Sequence, residues 1–268
     1  MKLVDKFSQS SIEYPIVVEG LKKIYGSIVA ISDISLNVRN NDCLGIVGPN
    51  GAGKTTLFQC ILGLLKNIKG NVSILGQEVI INGKILQNMR KYRNKIGYVP
   101  DFLEIYPFLT SEEYLHFLGK IAGFEEEKIS KYMNFLLNYF DLNPWYRTLV
   151  KNLSRGNLQK LILCTALIHQ PSILILDEPF TNLDIIVRGK AKALLEAYIT
   201  NGIPELDIIT PGTILISSHI LADIEDICNR VVIIKSGRIV WNGEIDELKT
   251  ETKEDKGLET IILEVLGK

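Results

Sequence analysis

Nine consecutive residues, Gly48-Pro49-Asn50-Gly51-Ala52-Gly53-Lys54-Thr55-Thr56, constrain this chain more than any other feature. An apolar run, Cys43 to Val47, precedes them, and apolar residues at helical spacing, Leu57, Phe58, Ile61, Leu62 and Leu65, follow. Strand, glycine loop and helix in that order form the context of a phosphate-binding loop. Glycines let the backbone curl until successive N–H groups converge on an anion. The helix behind adds the positive end of its dipole. Lys54 is expected to reach the terminal phosphates of a nucleoside triphosphate, and the Thr55 hydroxyl to ligate a magnesium ion that bridges them. Glycine turns also join strands to helices with no ligand, but Lys-Thr closing the pattern here favours the nucleotide.

The 268 residues allow one large domain, or a domain with a lobe, and the net charge of -1 implies no basic face. Nucleic acid is therefore not an expected partner. Cys43, Cys60, Cys164 and Cys228 lack metal-ligand spacing and sit in apolar runs, as small buried hydrophobes do in a reducing compartment. Residues 1–14 are polar, without the apolar core of a secretion signal, and nowhere does the chain approach the roughly 18 apolar residues of a membrane span. A soluble, cytoplasmic protein is expected, held at any membrane by another chain.

Two strands are expected around residues 16–18 and 34–38, with Gly20 and Gly26 in the turns between and Tyr25 in the loop before the second. Further strands follow at 72–75 and 95–99. From Thr110 to Val150 the spacing becomes helical, with Tyr114, Leu115, Leu118 and Ile121, then Met133, Leu136, Leu137 and Phe140, ending at Asn143-Pro144. The all-apolar runs at 173–176, 213–217 and 231–234 suit central parallel strands, separated by helices over about 185–199 and 220–228. The connection Asn201 to Gly212, with Pro204 and Pro211, is longer than such a link needs and is expected to be a surface excursion.

Asp177 and Glu178 follow the strand at 173–176 directly. Carboxylates at the C-terminal edge of a parallel sheet lie beside a neighbouring phosphate loop. Asp177 is expected to hold the magnesium ion, and Glu178 to orient or deprotonate the attacking water; alternatively both simply begin a loop. His219 ends another strand on the same edge, where its ring can donate to the γ-phosphate, whereas His116 and His169 are taken as structural. Leu153-Ser154-Arg155-Gly156 opens a helix, so Ser154 and Gly156 sit at a helix N-terminus suited to an anion, and Ser154 is first of all a cap. Tyr25 is either an ordinary surface residue or a platform for a purine ring.

Taken in order, Tyr25, the loop Gly48 to Thr56, Asp101, Leu153-Ser154-Arg155-Gly156, Leu176-Asp177-Glu178-Pro179, Thr181-Asn182-Leu183-Asp184 and His219 resemble the motif series of an ATP-binding cassette (ABC) ATPase subunit. The resemblance runs from about Ile16 to Leu248 and is similar to stand-alone bacterial cassettes of the multidrug and ABC-2 exporter group. It implies an α/β fold, a P-loop NTPase (RecA-like) parallel-sheet core with an N-terminal antiparallel β region and an inserted helical lobe. The core would occupy about 15–100 and 166–248, the lobe about 101–165, and a short tail 249–268.

The resemblance further implies ATP and Mg2+ as ligands. It implies a homodimer, or a pair with a second ATP-binding subunit, in which each ATP lies between the phosphate loop of one copy and the Ser154–Gly156 helix start of the other. It places Tyr25 at the adenine-stacking position and Asp184 against the opposite subunit. It also implies a separate membrane-spanning transporter subunit, with this chain peripheral on the inner face of the cell membrane. Asp101 stands where the family usually has Gln, as a metal ligand that changes the local charge by -1, and Ser-Arg-Gly-Asn replaces the common Ser-Gly-Gly-Gln. A soluble ABC ATPase without a transport role, such as a cluster-assembly type, is the alternative.

Overall fold

A computed structural model of the chain describes residues 12–101, 106–251 and 257–267. The strands are β1 (Ile16–Tyr25), β2 (Ile28–Val38), β3 (Cys43–Val47), β4 (Ile68–Ile74), β5 (Gln77–Ile81), β6 (Lys84–Ile85), β7 (Ile96–Val99), β8 (Ile173–Asp177), β9 (Thr213–Ser217), β10 (Arg230–Lys235) and β11 (Arg238–Glu244). The helices are α1 (Lys54–Ile61), α2 (Met89–Arg93), α3 (Ser111–Ile121), α4 (Glu126–Tyr139), α5 (Arg155–Leu167), α6 (Ile185–Thr200), α7 (Leu221–Ile227), α8 (Ile245–Glu251) and α9 (Leu258–Gly267).

The strands form two sheets. An antiparallel sheet has the order β2-β1-β4-β5-β6, and a second has the order β11-β10-β3-β9-β8-β7, parallel except for β11. The second sheet is the central layer, because its strands bury both faces. Leu44, Ile46, Ile173, Ile175, Leu215, Val232 and Ile234 join one core with α1 and the antiparallel sheet. Their neighbours Cys43, Val47, Leu174, Leu176, Ile214, Ile216, Val231 and Ile233 join the other core with α3 to α7 and α9. The period of two in each strand thus divides one apolar run between two cores. The expected α/β architecture, with its parallel core, antiparallel β region and helices between β7 and β8, is the one observed.

Several local expectations need correction. Tyr25 is not in a loop but is the last residue of β1, paired with Ile28 of β2, and Gly20 makes a bulge inside β1 rather than a turn. Past the bulge the strand carries buried Lys23 and exposed Ile24, which inverts the usual alternation; Lys23 is accommodated because its ammonium donates to the Lys66 carbonyl at 2.7 Å. The short β5 and β6 and the edge strand β11 had no separate expectation. Helix α4 ends at Tyr139, before Asn143-Pro144, with Asp141 left-handed at φ 53° and a 3-10 turn over Asn143–Trp145. The 201–212 connection is more than a surface excursion: Ile203, Leu206 and Ile208 are buried in the core, although Ile209 is exposed. Asp207 in that connection accepts hydrogen bonds from Lys131 at 2.6 Å and the Tyr132 hydroxyl at 2.5 Å of α4.

Helix α1 is pinned between the sheets by Leu57, Phe58, Cys60 and Ile61, each fully buried. Its N-terminus, and with it the phosphate loop, is therefore fixed relative to β3. Phe58→Ala should lower the unfolding free energy by about 3–5 kcal/mol, the cost of an aromatic-sized cavity, measured as a shift in the urea midpoint.

Candidate active site

Strands β3, β9 and β8 are adjacent and parallel, so their C-terminal ends share one edge. The loop after β3 carries Gly48 to Thr56, the turn after β9 carries His219, and β8 ends on Asp177 with Glu178 next. A cavity of about 490 Å3 opens there, lined by Asn50 to Thr56, Asp101, Asp177, Glu178, Thr181, His219 and by Ile28, Val29 and Ala30 of β2. Its volume suits a nucleotide-sized ligand.

The loop is held from behind. The Ala52 amide donates to the Pro49 carbonyl at 3.1 Å, and Gly237, in the β10–β11 turn, donates to the Ala52 carbonyl at 2.9 Å. A side chain at Gly53 would meet the Ala30 carbonyl oxygen at 2.5 Å, and φ there is +109°, so only glycine fits this approach to β2. Gly53 is the N-cap of α1 and has no side chain to cap the first-turn amides, which leaves them for an anion. Lys54 is buried, and its ammonium donates to the Gly48 carbonyl at 2.8 Å and the Pro49 carbonyl at 3.3 Å.

Asp177 is buried at the base of the cavity. Burial raises its carboxyl above the ordinary carboxylate range, against hydrogen bonds from Ser217 and Thr55, while the nearby charges of Asp101 and Glu178 raise it further. Its Oδ1 accepts from the Ser217 hydroxyl at 2.5 Å; its Oδ2 is buried with no geometrically sound hydrogen-bond partner. Glu178 adopts the left-handed conformation, φ 53°, and its Oε2 accepts from the His219 backbone amide at 3.2 Å and lies 2.6 Å from His219 Nδ1. A proton on Nδ1 makes that contact a donation to Glu178 and turns Nε2 to other partners.

These residues suit a divalent cation. Three carboxylates and the Thr55 hydroxyl line one cavity, and the Oδ2 of Asp177 is a buried carboxyl oxygen without a geometrically sound hydrogen-bond partner. Among the described residues no three His, Cys, Asp or Glu converge into a closed metal cage. An open, few-ligand arrangement is what magnesium takes when substrate phosphates complete its shell.

The other sequence-chosen residues lie outside this cavity. Ser154 caps α5, accepting from the Asn157 amide at 3.2 Å, and a side chain at Gly156 would come within 3.0 Å of the Asn182 carbonyl. Asp184 caps α6, accepting from the Val187 amide at 2.9 Å. Tyr25 is exposed at the end of β1 with the Lys23 ammonium 4.5 Å from its ring centre. None of Tyr25, Ser154, Gly156 and Asp184 lines the cavity. Asp101 lines it, while 102–105, part of the expected lobe, fall outside the described residues, as do 1–11 of the polar start. Both remaining histidines have structural partners: His116 pairs with Glu126 at 2.7 Å, and His169 Nε2 contacts the Ile96 carbonyl at 3.1 Å. All four cysteines are free and buried. Sequence reasoning missed Ser217 and the Ile28-Val29-Ala30 wall, and named Thr181 only as part of the Thr181–Asp184 turn, without a place in the cavity; a polar Ser217 ending an apolar strand run was the available signal for the first.

A family model described as ABC transporter matches residues 31–181. An uncharacterized ABC transporter ATP-binding protein, YxlF of Bacillus subtilis, is 33% identical over 87% of this chain and 72% of its own length. The Nod factor export ATP-binding protein I of Ralstonia nicotianae is 32% identical over 87% and 68%. The linearmycin resistance ATP-binding protein LnrL of Bacillus subtilis is 31% identical over 91% and 72%. A solved ATP-binding subunit of an ABC transporter superposes with a TM-score of 0.82 at 26% identity, covering 93% of this chain and 98% of its own. A dimeric cassette bound to ADP and phosphate after hydrolysis shares the fold, with a TM-score of 0.74 at 22% identity over 85% and 98%. No helix among the described residues is long and apolar enough to cross a membrane. With a phosphate loop, a buried Asp177 followed by Glu178 and a histidine gathered on one sheet edge, and with these relatives, the chain belongs to the ABC transporter family as an ATP-binding subunit.

Proposed function

We propose that this subunit binds Mg–ATP at Gly48 to Thr56, hydrolyses it between two cassettes, and thereby powers solute export through a separate membrane-spanning subunit. The observation that carries this reading is a division of labour within one chain. Lys54, Thr55, Asp177, Glu178 and His219 share a cavity, whereas Ser154, Gly156 and Asp184 do not reach it. The second group is left for the cavity of a partner cassette, either a second copy or another ATP-binding subunit. Ile185 and Ile186, beside Asp184, are 90% and 74% exposed, an apolar surface that a second cassette would cover.

In this reading the loop amides and Lys54 bind the terminal phosphates. Lys54 trades its two carbonyl contacts for phosphate oxygens, at little cost because both partners are acceptors of the same charge-assisted bond. Thr55 and Asp177, with Asp101 in place of the usual Gln, hold the metal; when bound, magnesium neutralises charge on the phosphate oxygens. Glu178 orients the attacking water and takes its proton. His219 steadies the Glu178 carboxylate through Nδ1, and a ring protonated at both nitrogens also donates from Nε2 to the γ-phosphate. Tyr25, with one contact to Lys23, offers its ring to the adenine.

The membrane partner is supported by the surface between α2, α3 and α5. There exposed Ile121 lines a groove with Arg93, Leu118 and Phe124, and Phe117, also on α3, is exposed in edge contact with exposed Tyr106. Apolar side chains rimmed by charge mark a protein contact. Relatives named for Nod factor export and linearmycin resistance favour export and a place at the inner face of the cell membrane. They also favour transport over a soluble cluster-assembly role.

Glu178→Gln should lower turnover about 100- to 10,000-fold while leaving nucleotide binding intact, and should trap an ATP-bound dimer; sedimentation that finds only monomer in ATP would contradict the shared site. Lys54→Ala should weaken ATP binding itself, read by equilibrium titration, and an unchanged affinity would remove the phosphate assignment. Detergent extraction with the tagged subunit should recover a polytopic membrane protein; recovery of soluble partners alone would overturn the transport role.

A further inference from the structure

We propose that Ser217 is a positioning residue for both acidic groups of the site, setting the metal-facing oxygen of Asp177 and the turn that carries Glu178. The inference rests on the magnesium role assigned to Asp177 above. Ser217 pairs directly with Asp177 across the parallel β8–β9 ladder. By the period of two, Ser217 lies on the same sheet face as Leu215, and Asp177 on the same face as Ile173 and Ile175. Those three apolar residues pack in the core around α1, the helix whose first turn holds Thr55. The series predicts another apolar side chain at 217, yet the chain places a hydroxyl there and buries it completely.

That hydroxyl makes one hydrogen bond as donor and one as acceptor. It lies 2.5 Å from Asp177 Oδ1 and accepts the Glu178 amide at 3.2 Å. Because the amide supplies its own proton, the single hydroxyl proton points to the carboxylate, and the direction of both bonds is fixed. Oδ1 is thereby occupied by Ser217, and Oδ2 is the oxygen left without a geometrically sound hydrogen bond, although the Thr55 hydroxyl also acts on this carboxyl. The Ser217 carbonyl accepts the same Glu178 amide at 3.2 Å. One residue therefore holds the amide of a glutamate that sits in the sparsely populated left-handed region, where a non-glycine residue needs support from its surroundings. Ser217 is closed to solvent and does not itself line the cavity, and acts through Asp177 and Glu178, which do.

The test is equilibrium binding of a fluorescent ATP analogue to the full chain, titrated with magnesium, for the wild type, Ser217→Ala, Ser217→Cys, Ser217→Thr and Asp177→Asn. Ser217→Ala should raise the half-saturating magnesium concentration roughly tenfold, the order of effect of one hydrogen bond to a charged group, and leave metal-free nucleotide affinity within about twofold. Ser217→Thr, which keeps the hydroxyl, should restore the wild-type magnesium dependence. Ser217→Cys keeps the volume with a weak donor and should behave as Ser217→Ala, so it serves if the alanine variant does not fold. In turnover assays the loss should fall on kcat at saturating magnesium as well, since Glu178 loses half its support, with KM for ATP little changed. If Asp177→Asn abolishes the magnesium dependence while Ser217→Ala and Ser217→Cys leave it at the wild-type value, the positioning role is overturned and the metal assignment stands. If Asp177→Asn also binds with wild-type magnesium dependence, the metal assignment itself fails and the role of Ser217 falls with it.

Discussion

The parallel pairing of β3, β9 and β8 is the constraint on which the site depends. Three segments from distant parts of the chain end at the same level because parallel neighbours must point the same way. Each contributes a different chemistry at its end: the glycine loop, the Ser217–His219 turn and the Asp177-Glu178 pair. The strands stay in that order because each buries side chains on both faces, so a slip of one residue would exchange the contents of two cores. The cost of the arrangement falls on Asp177, a carboxylate drawn into the interior and left with one oxygen unpartnered. Ser217 offsets part of that cost, and a metal ion in the cavity would offset more.

The cavity is open rather than closed, and its edge is made of groups with unspent capacity. The first-turn amides of α1 lack a side-chain cap, Lys54 is satisfied only by loop carbonyls, and one nitrogen of His219 faces away from Glu178. In contrast, the helix start at Ser154 lies elsewhere on the same molecule and is capped by its own serine. A capped terminus can still meet a phosphate, because a serine at the N-cap satisfies only one of four free amides. In the function proposed above the two surfaces would act as half-sites, a form that closes when two subunits face each other in opposite directions.

The 201–212 connection ties two parts of the fold together. Its Ile203, Leu206 and Ile208 enter the core between α4 and α6, and Gln170 Nε2 donates to the Leu206 carbonyl at 2.5 Å. The left-handed Asp207 then receives Lys131 and Tyr132 of α4. These contacts join the helices between β7 and β8 to the last turn of α6, well away from the nucleotide edge.

Much of the site was legible in the sequence because its parts are local. A phosphate loop needs glycines at fixed offsets, a lysine and a threonine, all within nine residues, and the backbone conformation follows from those residues alone. The apolar runs at 173–176, 213–217 and 231–234 declared buried parallel strands because no other environment accepts apolar side chains on both faces. What the sequence left undetermined depends on neighbours far away along the chain. The extension of β1 through a buried lysine relied on the Lys66 carbonyl, and the burial of Ile203, Leu206 and Ile208 relied on α4. Only the folded sheet decided that Ser217 faces Asp177, since strand register is set by packing on both faces and not by either strand's own residues. The chain's sequence thus determined which chemical groups were present and in what order, while tertiary packing decided which of them meet, because a contact across two strands has no representation in the spacing of either.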